Sequence, residues 1–165
     1  IKLAAKRNPA AFTGEGVVRF CVQGSAPATK SGRFTPAKLV EALQVGLPFR
    51  ELLELQTRLA VPADKLAPML GISKATFHRR KGGAAKLPPA VSDRVVRYAR
   101  LLGQALQVFG DLDSAKQWLG APQFGLGGAV PLDFARSEVG AREVENLLGR
   151  IEYGVIREEA SLADC

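Results

Sequence analysis

The chain has 165 residues, 47% hydrophobic and 24% charged. That is enough to bury one ordinary core with a small second module, and it excludes wholesale disorder, a collagen repeat and a disulfide framework. Net charge is +7, unevenly spread: residues 1–100 hold 18 Lys and Arg against 6 Asp and Glu, whereas residues 101–165 hold 5 against 10. A basic front of this kind suits a polyanionic partner, and the acidic back suits a different one. No stretch reaches the roughly 18 consecutive apolar residues of a membrane span. The opening residues Ile1, Lys2, Leu3, Lys6 and Arg7 lack the apolar run of a secretory signal. A cytoplasmic protein without a membrane partner is expected, and a chain opening on Ile1 suggests a trimmed or processed start. Cys21, Cys165 and the single His78 supply no metal-ligand spacing, so reduced thiols, no metal and no cofactor are expected.

Residues 1–34 carry no helical period, and 24–32 have the Gly, Ser, Ala and Pro composition of a linker, which predicts a flexible N-terminal arm. Val17, Val18, Phe20 and Val22 have the pattern of a short strand with no partner to pair with. Punctuated helices follow. Thr35 and Pro36 read as an N-cap and first helical position, Leu39, Ala42 and Leu43 as an apolar stripe, and Gly46 as the stop. Pro48 opens a helix through Phe49, Leu52, Leu53 and Gln56 to Leu59, and Pro62 opens another through Leu66, Met69 and Leu70 to Gly71. A short helix over 73–81 ends at Gly82 and Gly83.

Pro88 and Pro89 then begin the longest helix. Val91, Val95, Tyr98, Leu102, Ala105 or Leu106 and Phe109 mark its buried face, with Arg94, Arg97 and Arg100 on a solvated side. Gly110 ends it, Asp111 caps a helix through Trp118 and Leu119, and a loop with Gly125, Gly127 and Gly128 leads to Pro131. Ser137 caps the last helix, whose stripe of Val144, Leu147, Leu148, Ile151 and Val155 fits either a core or a subunit interface. The expected fold class is all-α: an arm (1–34), a helix-turn-helix domain (35–87) and a helical C-terminal domain (88–165).

The segment 63–81 has the spacing of a helix-turn-helix. Ala67 is small where two helices cross, Gly71 provides the turn's backbone angle, and Leu66, Leu70, Ile72 and Phe77 lock the pair. Ser73 caps the second helix, which carries Lys74, Thr76 and His78 near its start and Arg79, Arg80 and Lys81 toward its end. These side chains are of the types that reach phosphates and base edges. Pro68 inside the first helix and Arg80 at a usual packing position count against it, and a purely structural hairpin is the competing reading. Trp118 reads as core. Gly127 and Gly128 lack the Lys and Ser or Thr of a phosphate loop. No paired carboxylates, metal cluster or nucleophile with its base support an enzyme.

In order, the chain carries Leu70-Gly71-Ile72-Ser73, Ala75-Thr76-Phe77-His78-Arg79-Arg80-Lys81, Leu87-Pro88-Pro89, Ser92-Asp93-Arg94, Arg97, Val108-Phe109-Gly110-Asp111, Ala115 and Trp118-Leu119. Then come Pro122, Leu126-Gly127-Gly128, Pro131-Leu132, Gly140, Val144-Glu145, Leu148-Gly149-Arg150-Ile151 and Gly154-Val155. Over residues 45–156 this resembles the Xre/MbcA/ParS antitoxin family. The resemblance implies an antitoxin of a type II toxin–antitoxin system, one that represses its own operon by binding promoter double-stranded DNA as a homodimer. It also implies a C-terminal domain that covers the active site of an NAD+-consuming RES-domain toxin. The DNA-binding set would be Ser73, Lys74, Thr76, His78, Arg79, Arg80 and Lys81. The toxin-binding set would be Leu148, Ile151, Glu152, Gly154, Val155, Arg157 and Glu158, with Glu159 and Asp164 adding negative charge. An interaction-only antitoxin with degenerate DNA binding and a stand-alone helix-turn-helix regulator are the alternatives.

Overall fold

The computed structural model describes residues 16–23 and 36–154, and among them the chain is helical with no strand. The helices are α1 (Val17–Gln23), α2 (Pro36–Val45), α3 (Phe49–Leu59), α4 (Ala63–Leu70) and α5 (Lys74–Arg80). They continue with α6 (Pro89–Phe109), α7 (Leu112–Gly120), a 3-10 turn (Phe124–Leu126), α8 (Pro131–Phe134) and α9 (Glu138–Glu152). Boundaries fall where the sequence chemistry puts them. Gly71 and Gly110 adopt the left-handed conformation that ends α4 and α6. Asp111 and Ser137 accept the backbone N–H groups of Ser114 and Gly140 at 2.8 and 3.0 Å. The Ser114 bonds hold the Asp111 carboxyl below the ordinary carboxylate range.

The 21-residue α6, about 30 Å long at 1.5 Å per residue, is the axis of the fold. It contacts α1, α2, α3, α4, α7 and α9, and Val91, Val95, Tyr98, Leu102 and Ala105 on one face, with Val96, Ala99 and Leu101 beside them, belong to one continuous apolar core. Ser92, also buried, accepts the Leu47 N–H at 2.9 Å and so ties the start of α3 to α6.

Residues 17–23 correct the reading of 1–34 as an arm and of the valines as a strand. Val17, Val18 and Val22 are fully buried on α6. A lone strand leaves its backbone groups unpaired, whereas a helix satisfies them internally and still presents one apolar face. Two distant residues make the docking possible. Glu51 of α3, itself buried, accepts the backbone N–H groups of Gly16 and, at 2.9 Å, Val18, and so caps α1. Gly103 of α6 leaves room for the crossing: a Cβ there would lie 2.1 Å from the Cys21 carbonyl oxygen. The rest of 1–34 and the Thr35 cap lie outside the described residues.

Arg97 and Arg94 are a second correction, because neither decorates a solvated side. The Arg97 side chain is 12% exposed; it pairs with Asp93 and with Glu138 of α9 and donates to the Arg136 carbonyl at 3.0 Å. Arg94 donates to the Leu70 carbonyl at 3.0 Å, closing the end of α4. Arg100 is exposed and bonds Glu145 of α9, beside Gln104, which donates to the Glu145 carbonyl at 3.0 Å. Part of the basic front is thus matched to the acidic back within the molecule.

Candidate functional site

The turn between α4 and α5 is built on local chemistry. The Gly71 and Ile72 N–H groups return to the Pro68 and Ala67 carbonyls at 3.1 and 3.0 Å, the paired bonds of a left-handed helix end. Pro68 does not break α4, which runs on to Leu70. The carbonyl deprived of its donor belongs to Asp64, and both Asp64 and Pro68 are exposed, so the missing bond falls on the solvent face of the helix rather than in the core. Ala67, Leu66, Leu70 and Phe77 are fully buried, and the Phe77 ring meets Phe49 of α3 edge to face at 5.6 Å. These contacts fix the roll of α5.

With Phe77 inward, the 100° step of the helix puts Ala75 and Arg79 at the centre of the outward face, flanked by His78 and Thr76. Ala75, His78 and Arg79 are exposed, so a basic side chain stands beside a residue small enough to let a groove floor approach. Lys74 is exposed and 3.7 Å from Asp64, Lys81 is exposed, and Arg80 is half-buried. Ser73 is spent on the cap. Its Oγ accepts the Thr76 N–H at 3.1 Å and donates to the Thr76 hydroxyl at 2.8 Å, so Ser73 and half-buried Thr76 hold the helix start as a unit.

In the C-terminal part of the chain, α9 packs Gly140, Ala141, Val144, Leu147 and Leu148 into the core. The stripe is intramolecular up to this point. Leu148 is 0% exposed, which removes it from the toxin-binding set, because a side chain enclosed by its own core has no face to offer. Ile151 is half-buried, Glu152 and Gly154 are exposed, and Val155, Arg157, Glu158, Glu159 and Asp164 lie outside the described residues. Trp118 is half-buried, with its ring 5.7 Å from Phe109.

Sequence patterning missed exposed Phe124, Val139 and Tyr153. Phe124 had a signal: it stands in a run, 117–132, with no charged residue. Among the described residues, no three His, Cys, Asp or Glu gather as metal ligands, and no helix is long and apolar enough to cross a membrane.

A helix-turn-helix joined through one long helix to a second helical unit defines a class of DNA-binding proteins with an appended interaction domain. Comparison with known proteins gives the family. Residues 38–100 match the antitoxin Xre-like helix-turn-helix domain, and residues 104–154 match the antitoxin Xre/MbcA/ParS C-terminal toxin-binding domain. The chain is 34% identical over 115 residues to an antitoxin Xre of Photorhabdus laumondii, covering 69% of this chain and 78% of that one. It is 30% identical over 118 residues to an antitoxin Xre of Yersinia enterocolitica, covering 71% and 80%. An antitoxin Xre of Pseudomonas putida is 35% identical over 63 residues, 38% of this chain and 40% of that one. The chain belongs to the Xre/MbcA/ParS antitoxin family.

Proposed function

We propose that this antitoxin neutralises an NAD+-consuming RES-domain toxin with its C-terminal domain and represses its own operon through α5. The observation that carries the reading is the succession, in one chain, of a helix-turn-helix match over 38–100 and a toxin-binding match over 104–154. On the DNA side, Arg79, Lys74, His78, Arg80 and Lys81 attract phosphate, and the outward face around Ala75 and Arg79 enters the major groove. Ser73 and Thr76 position the helix start. One such unit makes few contacts, so two copies read half-sites roughly 34 Å apart on a palindromic operator. On the toxin side, the end of α9 (Ile151, Glu152 and Gly154), with Val155, Arg157 and Glu158 beyond it, covers the active site. Its acidic groups suit a pocket that binds the phosphates of NAD+.

The test is co-expression with the toxin candidate encoded beside the gene. Toxin alone should deplete cellular NAD+ and stop growth, and this chain should restore both. Undiminished NAD+ with toxin alone sinks the RES assignment. For the DNA arm, affinity for promoter duplex is measured against salt. Arg79→Ala should weaken binding to all sequences and flatten the salt slope by about one; an unchanged slope excludes Arg79 from the interface.

A further inference from the structure

We infer that Phe124 is a preformed apolar anchor by which the C-terminal domain seats its toxin, a role that rests on the toxin-binding reading. The Phe124 side chain is 100% exposed, yet its backbone is held from several sides. The Gln123 N–H donates to Ala129 at 3.0 Å, and the Gln123 carbonyl accepts Leu126 and Gly128 at 3.1 and 2.9 Å. Gly127 closes on Phe124 itself at 2.9 Å. The Gln123 side-chain amide reaches back to the Trp118 and Ala121 carbonyls at 2.9 and 3.1 Å. Gly125 presses the turn onto α9, where a Cβ would come within 2.6 Å of Leu147. The chain therefore spends a dense set of hydrogen bonds on holding a phenyl ring out in water. A ring on a fixed backbone has little freedom left to lose on binding, which is the economy of a preorganised contact.

The surroundings suit desolvation. No charged residue occurs from 117 to 132, so the turn itself carries no charge for a partner to desolvate, and the centre of a protein interface is likewise charge-poor and aromatic-rich. Ile151, half-buried, follows Leu147 by one turn of α9, so the turn adjoins the exposed end of the helix proposed to cover the toxin.

The occupant is the toxin rather than a second copy of this chain. Phe124 lies inside 104–154, the segment that matches the family's toxin-binding domain, and exposed Gly127 and Gly128 beside it leave the ring clear of side chains that would keep a partner away. The ring's partner needs an uncharged apolar recess the size of a phenyl ring.

The experiment titrates the 165-residue chain, wild type or variant, against the toxin candidate of the co-expression test. DNA affinity, solution mass and thermal midpoint are measured in parallel. Phe124→Ala should weaken toxin binding roughly 30-fold, the scale of a hot-spot truncation, while the midpoint, the mass and promoter binding stay at wild-type values. Phe124→Leu should recover most of the loss. Wild-type binding with Phe124→Ala within threefold of it overturns the anchor and leaves the toxin-binding reading standing. A Phe124→Ala protein that instead loses mass assigns the ring to a second copy and overturns the proposal. Failure of the wild-type chain to bind the toxin overturns the toxin reading and the anchor with it.

Discussion

Tyr98 and Cys21 are single residues whose burial has a consequence for pH. The Tyr98 hydroxyl, fully buried, donates to the Leu132 carbonyl at 3.2 Å and so joins α6 to α8. Burial pushes its phenol from 10.0 up to about 12, with Arg136 and Arg97 drawing it partly back. Burial likewise pushes the Cys21 thiol from 9.0 up to about 11, opposed by Arg100 and reinforced by Glu51. In both cases the folded state holds its proton more tightly than the unfolded chain. The associated stability is therefore complete below the unfolded value and is lost as pH rises through the folded one. Urea unfolding should show constant contributions from these groups below pH about 9 and a decline from there to about 12. Cys21→Ala should flatten the first part of that decline. Tyr98→Phe should flatten the last part but lower the whole curve by about 1–3 kcal/mol, because the buried Leu132 carbonyl loses its donor. Stability that rises with pH over this range would contradict the burial of both groups.

At the scale of elements, α1 depends on a glycine more than eighty residues away. A Cβ at Gly103 meets the backbone carbonyl of Cys21, which cannot rotate aside as a side chain would. Gly103→Ala should therefore push α1 off α6. The cost is the burial of Val17, Val18 and Val22, roughly 1.5–3 kcal/mol for each side chain fully released, and the Cys21 thiol becomes accessible. Alkylation of Cys21 by iodoacetamide, slow in the wild type because the thiol is half-buried with its pKa raised, should accelerate at least tenfold in the variant. An unchanged rate would mean that α1 does not sit at the crossing. The same helix marks where sequence reading stops. Helices α2 to α7 and α9 were legible because proline, glycine, Ser73, Asp111 and Ser137 act on their own neighbours. The α4–α5 hairpin and its outward face were legible for the same reason. Helix α1 was not, since its cap is Glu51 and its seat is Gly103, partners that no local pattern announces. Arg97 deceived in the same way: its place four residues after Asp93 suggests a solvated pair, and only the return of α9 encloses it. Burial of Leu148 was one of two outcomes that an apolar stripe permits, and only the packing of α9 on α6 decided between them.

For the whole molecule, the two family segments abut within α6, between residues 100 and 104, so the long helix belongs to both. Its first half carries Arg94 on the end of α4, Arg97 pairs with Glu138, and Gln104 holds the Glu145 carbonyl. Melting either unit strips one face of α6, and a helix of this length with an apolar face exposed is not stable by itself in water. The described residues should therefore unfold as one cooperative unit despite their two functions. The single Trp118 lies in the C-terminal segment, so its fluorescence reports that half, whereas far-ultraviolet circular dichroism reports all the helices. In urea the two signals should trace one transition. Arg97→Ala gives the sharper version of the test. It removes a nearly enclosed guanidinium shared by Asp93, Glu138 and the Arg136 carbonyl, which should cost about 1–3 kcal/mol. In a single unit both midpoints fall together by the same amount, although the lost contacts lie on the α9 side. A fluorescence midpoint that drops while part of the dichroism holds would show that the helix-turn-helix segment keeps its fold without α9, and that α6 joins two units that melt separately.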